Sequence, residues 1–428
     1  MTGKGKGKEP MKYNAPKGMQ DILPPDIYIW QNVEETAREL FYKYGFQEIR
    51  IPIAESTDIF TRSIGETTDI VEKEMYTFTD KGGRSITLRP EGTAPVVRCY
   101  VEHNLYNLPS PQKFFYTGAM FRYERPQKGR LRQFYQIGAE AFGVSQPSLD
   151  AEIIVMLKNL LERIGIVDLN FELNSIGCDK CRLDYKNALL NFFEGKLAVY
   201  CPDCQRRFRT NPLRILDCKV PGCIELRKGA PCVKDYLCND CREHFNELIL
   251  NLNELRIPYT LNPNLVRGLD YYTRTTFEVT SEHLGAQKAV AAGGRYDRLV
   301  EEFGGPPTPA MGFAIGMERL VTLLKEKSEQ KIPSPKVFIA TLGRDAEMEG
   351  FKIAESIRSS GCWIEPNYGG ASLKSQMRKA DRIGAELVII IGDNELKTGK
   401  LKWKNLKNSQ QGEVLIKDIL SLFLNRPT

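Results

Sequence analysis

Nine of the eleven cysteines fall between Cys178 and Cys241, and that concentration narrows what the chain can fold into. Six of them form three CxxC pairs, Cys178/Cys181, Cys201/Cys204 and Cys238/Cys241, while Cys218 and Cys223 make a looser pair. Nineteen residues separate Cys181 from Cys201, a spacing in the range of zinc ribbons. Strand-like patterning stops before this stretch and resumes after it, so the simplest architecture is one antiparallel domain interrupted by a cysteine-rich insertion over about 178–255. An insertion must leave and rejoin its host at neighbouring points. Cys178 and Cys181 stand where it leaves, Cys238 and Cys241 where it returns, so these four are expected to close one tetrahedral Zn²⁺ site. Cys201, Cys204, Cys218 and Cys223 are the candidates for a second. The alternative for both sets is reduced thiols without metal.

Around the insertion the host alternates between helix and sheet. Asp26 to Gly45 reads as an amphipathic helix with Asp26 as N-cap and Trp30, Val33, Ala37 and Leu40 on one stripe. Strand-like runs follow at Ile49–Ile53, Met75–Phe78, Ser85–Leu88, Phe114–Phe121 and Gln133–Phe142, then a helix over Asp150–Ile164. Beyond the insertion, strands are expected from Tyr259, at Phe277–Val279 and at Ala289–Ala292, with a helix over Gly316–Glu326. The whole is an α+β domain, 11–325, on an antiparallel sheet with one face left available. A charged linker, 326–335, leads to a C-terminal α/β domain, 336–428. Its order is strand (Val337–Leu342), helix (Ala346–Ser360), strand (Cys362–Glu365), helix (Ser372–Ile383), strand (Leu387–Ile391), which suggests a parallel sheet. A basic stretch, Lys397–Lys407, has the makings of a hairpin.

Composition excludes several classes. The N-terminal 1–10 is rich in Lys and Gly without an apolar core, which reads as a disordered basic tail and not as a leader or an anchor. No apolar run approaches the ~20 residues of a membrane span. A cytoplasmic chain is the expectation, and there a dense set of cysteines argues for thiolate ligation over disulfides. Only three histidines occur, His103, His244 and His283, none in a segment with catalytic character, which argues against His-based triads and His-ligated catalytic metals. The net charge of +6 is a mild bias that a polyanionic partner would exploit.

Five segments carry chemistry. Phe121–Glu140 is a hairpin in which Arg122 and Glu124 are two apart and so share a strand face, and a basic turn, Arg125–Arg130, follows. Its second arm sets Gln136, Gly138 and Glu140 on one face, with Gly138 leaving room above the sheet. Charges gathered on the face of an apolar sheet must be paired or must bind a ligand, because burying them alone is costly. Leu265–Tyr272 (LVRGLDYY) offers Arg267 for an anion and Asp270, Tyr271 and Tyr272 for directed hydrogen bonds. In Ala292–Asp297 (AGGRYD) paired glycines permit close backbone approach to a ligand. Ala310–Leu320 is a strand, glycine turn and helix carrying Arg319, and Leu88–Thr93 (LRPEGT) ends a strand with Glu91 and Thr93 in a turn.

In this order the set resembles the histidyl-tRNA synthetases, a branch of the class II aminoacyl-tRNA synthetases. Gly45–Glu55, with Pro52, is similar to the dimer-interface motif 1, Phe121–Glu140 to motif 2 and Gly312–Leu320 to motif 3. LVRGLDYY and AGGRYD resemble the two signatures of the histidine branch, and the likeness runs from about Tyr13 to Leu424. The resemblance implies a class II catalytic domain, a C-terminal anticodon-binding domain and a homodimer. It also implies the reaction, in which histidine and ATP (with Mg²⁺) give histidyl-adenylate and pyrophosphate before histidine passes to the 3′ end of tRNA(His). By the same likeness Arg122 and Arg267 are the catalytic cations, and Arg122, Glu124 and Arg319 hold ATP. Glu91, Gly92, Thr93, Arg122, Gln136, Glu140, Arg267, Tyr271, Tyr272 and Tyr296 surround histidine, with Glu91, Thr93 and Gln136 towards its ammonium and Glu140, Tyr271 and Tyr272 towards its ring. Any zinc at the four outer cysteines is then structural, since the chemistry needs none. Two other readings are a non-catalytic regulatory subunit of ATP phosphoribosyltransferase, which shares the catalytic fold, and a zinc-ribbon nucleic-acid-binding module. On the C-terminal domain, Lys374, Arg378 and Arg382 with Lys379 form a basic helix stripe suited to tRNA phosphates or simply to water.

Overall fold

The computed structural model describes residues 13–420 apart from 66–67, 69, 128, 285–287 and 328–331. The tail expected over 1–10, part of the 326–335 linker and Lys128 of the basic turn lie outside the described residues. The chain divides into two compact units, 1–330 and 331–428. Among the described residues no helix is long and apolar enough to cross a membrane.

The first unit is built on an eight-stranded sheet. Its order is Gln47–Glu48, Gln112–Phe121, Gln133–Phe142, Ala310–Gly316, Ala289–Arg295, Thr273–Thr280, Asn170–Ser175, Thr260–Leu261. Only the two edge pairs run parallel; the six central strands are antiparallel, as expected of a class II catalytic domain. Alternation divides the side chains between two faces. Phe115, Ile137, Ala139, Ala141, Met311 and Phe313 enter the main core, beneath the helices Asp26–Lys43 and Pro147–Arg163. The predicted stripe Trp30, Val33, Ala37 and Leu40 is buried there. On the opposite face Gly138 pairs with Tyr116 and Ala314, and Glu140 pairs with Phe114 and Gly312.

Several local expectations need correction. Arg122 and Glu124 are not on a strand, because the strand ends at Phe121 and the chain turns towards Pro126. Pro52 has no N–H to give, and the run Ile49–Ile53 forms no strand; it links the short strands Gln47–Glu48 and Ala54–Ser56, which belong to different sheets. Asp26 is the first helical residue, not the cap, a role taken by Pro25; it meets Lys325 at 2.6 Å instead.

The insertion leaves after Asn170–Ser175 and returns through the helix Asn239–Glu254, whose Leu248 and Leu252 rejoin the main core. Between them the described chain is helical and has its own core, in which Tyr185, Leu189 and Phe193 pack with five cysteines. A segment of roughly 60 residues buries too little apolar surface to stand on that core alone, so a staple is expected.

The second unit has Val337–Thr341 between Ile364–Pro366 and Leu387–Ile391, all parallel. The sheet is nevertheless mixed, since Lys400–Asn405 and Gln411–Leu415 add an antiparallel hairpin. The hairpin thus extends past the expected 397–407. Its turn is organised by Asn405, whose Oδ1 accepts from the N–H groups of Lys407 and Asn408 at 2.8 and 3.2 Å. Lys374, Arg378, Lys379 and Arg382 are exposed on the helix Leu373–Arg382.

Candidate active site

The open face of the first sheet carries a cavity of about 210 Å³. Nine of the residues singled out in the sequence line it: Glu91, Thr93, Arg122, Glu124, Gln136, Arg267, Tyr271, Tyr272 and Arg319. Glu140 and Tyr296 do not; they are buried beneath its floor, and Gly92 caps the helix that begins at Thr93.

One end is a carboxylate network. Glu91 sits at the N-terminus of the helix Thr93–Glu102, and its oxygens accept the backbone N–H groups of Thr93 and Ala94 at 2.7 and 2.8 Å. Burial raises its pKa, opposed by those N–H groups and by Arg122. Tyr271 approaches the same carboxylate at 3.5 Å. Thr93 Oγ1 donates to Glu140 Oε1 at 2.7 Å, and the Tyr296 hydroxyl donates to Glu140 Oε2 at 2.5 Å. Burial pushes the Glu140 carboxyl up to about 8 although both hydroxyls favour its charge. Gln136, beyond Gly138 on that face, keeps a buried Oε1 that meets no partner among the described residues.

The other end is cationic. Arg122 Nε donates to the Pro90 carbonyl at 2.8 Å and its guanidinium lies 5.2 Å from the centre of the Phe134 ring. Arg319 donates to the carbonyls of Gly129 and Ala289 at 3.1 and 2.7 Å. Arg267 is ion-paired with Glu278, while its Nε is buried without a partner among the described residues. Three guanidiniums held by carbonyls, a ring and one carboxylate leave excess positive charge facing the cavity, which an anion would neutralise.

The glycines of both segments accommodate protein neighbours. The space above Gly138 is filled by the Tyr116 ring, against which a β-carbon at Gly138 would collide, so this glycine seats a tyrosine and not a ligand. The pair Gly293–Gly294 likewise faces neighbouring strands: a β-carbon on Gly293 would lie 2.6 Å from Phe277 and one on Gly294 2.5 Å from the Thr275 carbonyl. Between them and Tyr296 stands Arg295, fully buried and paired with Asp150 at 2.8 Å and Asp297 at 3.1 Å, a structural ion cluster. Sequence reasoning missed Glu278, the partner of Arg267, and Glu318, which lines the cavity and accepts the Tyr135 N–H at 2.9 Å. Burial lifts the Glu318 carboxyl to about 7. Strand alternation would have flagged Glu278 only as a polar position. Arg130, read from the sequence only as part of a basic turn, pairs with Glu124 and lines the cavity.

The cysteines form two cages. The sulfurs of Cys178, Cys181, Cys238 and Cys241 all lie within 4.8 Å of one another, and so do those of Cys201, Cys204, Cys218 and Cys223. The sulfurs of Cys178 and Cys181 are 3.6 Å apart, those of Cys178 and Cys238 4.0 Å, and those of Cys201 and Cys218 3.9 Å. A disulfide needs about 2.05 Å, whereas a tetrahedral ion with bonds of about 2.3 Å sets its sulfurs about 3.8 Å apart. Both cages fit a single Zn²⁺.

Comparison with known proteins agrees with this geometry. A family model described as Histidyl-tRNA synthetase matches residues 18–179 and 229–320, and one described as Anticodon binding domain matches 336–426. The curated Histidine--tRNA ligase of Thermodesulfovibrio yellowstonii is 56% identical over 412 residues, 96% of this chain and 98% of that one. That of Trichlorobacter lovleyi is 51% identical over 404 residues, 94% and 96% of the two chains. The crystal structure of apo S. aureus histidyl-tRNA synthetase superposes with a TM-score of 0.82 at 39% identity, covering 96% of this chain and 99% of that one. A Bacillus halodurans ATP phosphoribosyltransferase regulatory subunit/histidyl-tRNA synthetase shares the fold at a TM-score of 0.65 and 20% identity, covering 90% and 99%.

Proposed function

Since the chain belongs to the histidyl-tRNA synthetase family, we propose that the cavity between Glu91 and Arg319 is where this histidine–tRNA ligase joins histidine to ATP. The observation that carries this reading is the division of one cavity into a carboxylate-and-amide end and a three-arginine end. The regulatory-subunit alternative is set aside, because full-length relatives near 50% identity are ligases while the regulatory-subunit likeness is one of fold at 20% identity.

In the first step a carboxylate oxygen of histidine attacks the α-phosphorus, and the bond from that phosphorus to the pyrophosphate oxygen breaks. Charge grows on the α-phosphate oxygens, where Arg122 and Arg267 would meet it with little rearrangement, Arg122 being fixed by Pro90 and Phe134. Arg319 and Glu124 would hold the rest of the nucleotide. The ammonium of histidine would be met by Gln136 Oε1, which has no partner among the described residues, together with Glu91, whose oxygens each take only one backbone N–H, and Thr93. The ring would lie against Tyr271 and Tyr272 above Glu140. A site that hydrogen-bonds the ring rejects apolar isosteres, because its own polar groups would be left unpaired. In the second step the 3′-terminal ribose hydroxyl of tRNA(His) attacks the acyl carbon and AMP leaves.

Mg²⁺ accompanies ATP and would take its ligands mainly from phosphate oxygens and water, shielding their charge. The cavity carboxylates Glu124 and Glu318 already have protein partners, Arg130 and the Tyr135 N–H. Zn²⁺ at Cys178, Cys181, Cys238 and Cys241 would tie the two ends of the insertion together. The compartment is the cytoplasm, where tRNA is used. Purified protein should exchange pyrophosphate into ATP only when histidine is present; absence of that exchange would overturn the reading. Pairing of two copies through Gly45–Glu55 is part of the same proposal, and a monomer mass by light scattering at micromolar concentration would remove it.

A further inference from the structure

We infer that Cys201, Cys204, Cys218 and Cys223 bind a second structural Zn²⁺ whose task is to hold Asn211 against Asp270 and so position the loop that carries Arg267, Tyr271 and Tyr272.

The four sulfurs come from a stretch with no strand among its elements and little apolar core. Cys201 precedes the helix Pro202–Thr210, Cys204 lies in its first turn, and Cys223 lies in the helix Pro221–Leu226. Cys204, Cys218 and Cys223 are buried together. The backbone N–H of Cys201 points at Cys223 Sγ at 3.3 Å, as the N–H of Cys238 points at Cys181 Sγ at 3.1 Å in the other cage. Such donors stabilise thiolate over thiol. An all-sulfur tetrahedron of this size suits Zn²⁺, and Zn²⁺ asks nothing further of the site. Cys232 belongs to neither cage.

What the second cage encloses gives it a task. Between Cys204 and Cys218 the chain folds back through Asn211 and the short 3₁₀ turn Pro212–Ile215. Asn211 Nδ2 donates to Asp270 Oδ1 at 3.0 Å. Arg206, from the same helix as Cys204, reaches Glu72 at 3.3 Å, two residues before the Glu74 that approaches Arg130. Asp270 is held on its other side as well: its N–H donates to the Ile64 carbonyl at 3.2 Å, and its carboxylate rests against Gly65, where any β-carbon would collide with it. The first cage acts on the same loop. Arg182, the residue after Cys181, donates to the carbonyls of Asp270 and Tyr272 at 3.4 and 3.2 Å. Each cage therefore fixes a side chain that grips the loop from outside the cavity, one by its carboxylate and the other by its backbone. Without metal, the thiolates of the second cage would repel or pick up protons, and the turn that presents Asn211 would lose the metal tie between Cys204 and Cys218 at its two ends.

The kinetic half of this inference rests on the reading of the cavity as the histidine site; the metal half does not. The full chain, expressed with added zinc and purified without chelator, should contain two zinc ions per chain by mass spectrometry. Cys218→Ser should contain one and show a histidine KM raised about tenfold with kcat changed far less, the size expected for losing one hydrogen bond to a charged group. Asn211→Ala should reproduce that KM change while keeping both zinc ions, which a merely destabilised insertion would not do. If Cys218→Ser does not fold, Asn211→Ala and the zinc count of the unaltered chain still decide the matter. One zinc ion or none in the unaltered chain overturns the second site. An ordinary histidine KM in Asn211→Ala overturns its positioning role. Absence of histidine-dependent exchange in the unaltered chain would instead defeat the functional reading and leave the metal count standing.

Discussion

Replacing Arg267 with alanine should slow histidine-dependent exchange of pyrophosphate into ATP by about 10²–10³-fold while leaving histidine binding measurable. The size follows from what the side chain is not doing at rest. It has one ion-pair partner, Glu278, and a buried Nε that donates to nothing among the described residues. A guanidinium in that state is held in place with hydrogen-bonding capacity unspent, and the α-phosphate gains charge only as the new bond forms. Most of the loss should therefore appear in kcat and little in the KM for histidine. Glu278→Gln provides the internal comparison, since it leaves the cation but loosens its anchor, and a milder loss near tenfold is expected. An unchanged exchange rate in Arg267→Ala would remove this residue from the chemistry.

That Glu278 had to be seen in the structure marks the boundary of what the sequence conveys. Strands with strong alternation or an unbroken apolar run were legible to the residue: Ser85–Leu88, Gln133–Phe142 and Leu387–Ile391 stand where their patterns put them. Once Gln133–Phe142 was placed, period two alone assigned Gln136 and Glu140 to the face opposite Ile137 and Ala139. Ile49–Ile53 looked equally strand-like, but a missing N–H at Pro52 outweighs apolar content. Glycines were the most misleading signal. A glycine reports that something comes close and does not say what, and at Gly138 it is the Tyr116 ring, twenty-two residues back on the neighbouring strand. Pairings between distant segments, such as Arg267 with Glu278 and Asn211 with Asp270, have no local signature, because register sets them. The cysteines were more legible, since their spacing and their position at the ends of the insertion are local facts.

Glu140 supplies the test in which pH separates structure from function. Burial pushes its carboxyl up to about 8 from an ordinary value of 4.5. The folded protein thus keeps a proton that the unfolded chain releases from about pH 4.5 upward. Between those two values unfolding releases that proton, so this group lowers stability progressively as pH rises, and above about 8 the deficit is complete. Glu140→Gln has no such proton. Its melting temperature should match that of the unaltered protein near pH 4.5 and exceed it by about 3 °C or more at pH 8. Histidine binding should respond in a different pH window. A neutral imidazole above protonated Glu140 and an imidazolium above its carboxylate contain the same number of protons, so binding needs no proton from solution up to about pH 8. Above that value one must be taken up, and the histidine KM should rise about tenfold per pH unit. The glutamine variant, with an amide in place of the acceptor beneath Thr93 and Tyr296, should bind histidine about 10²-fold more weakly at pH 7 and lose that steep rise. Equal KM values for the two proteins at pH 7 would place the imidazole elsewhere in the cavity. A glutamine variant no more stable at pH 8 would mean that the buried carboxyl is ionised in the folded chain.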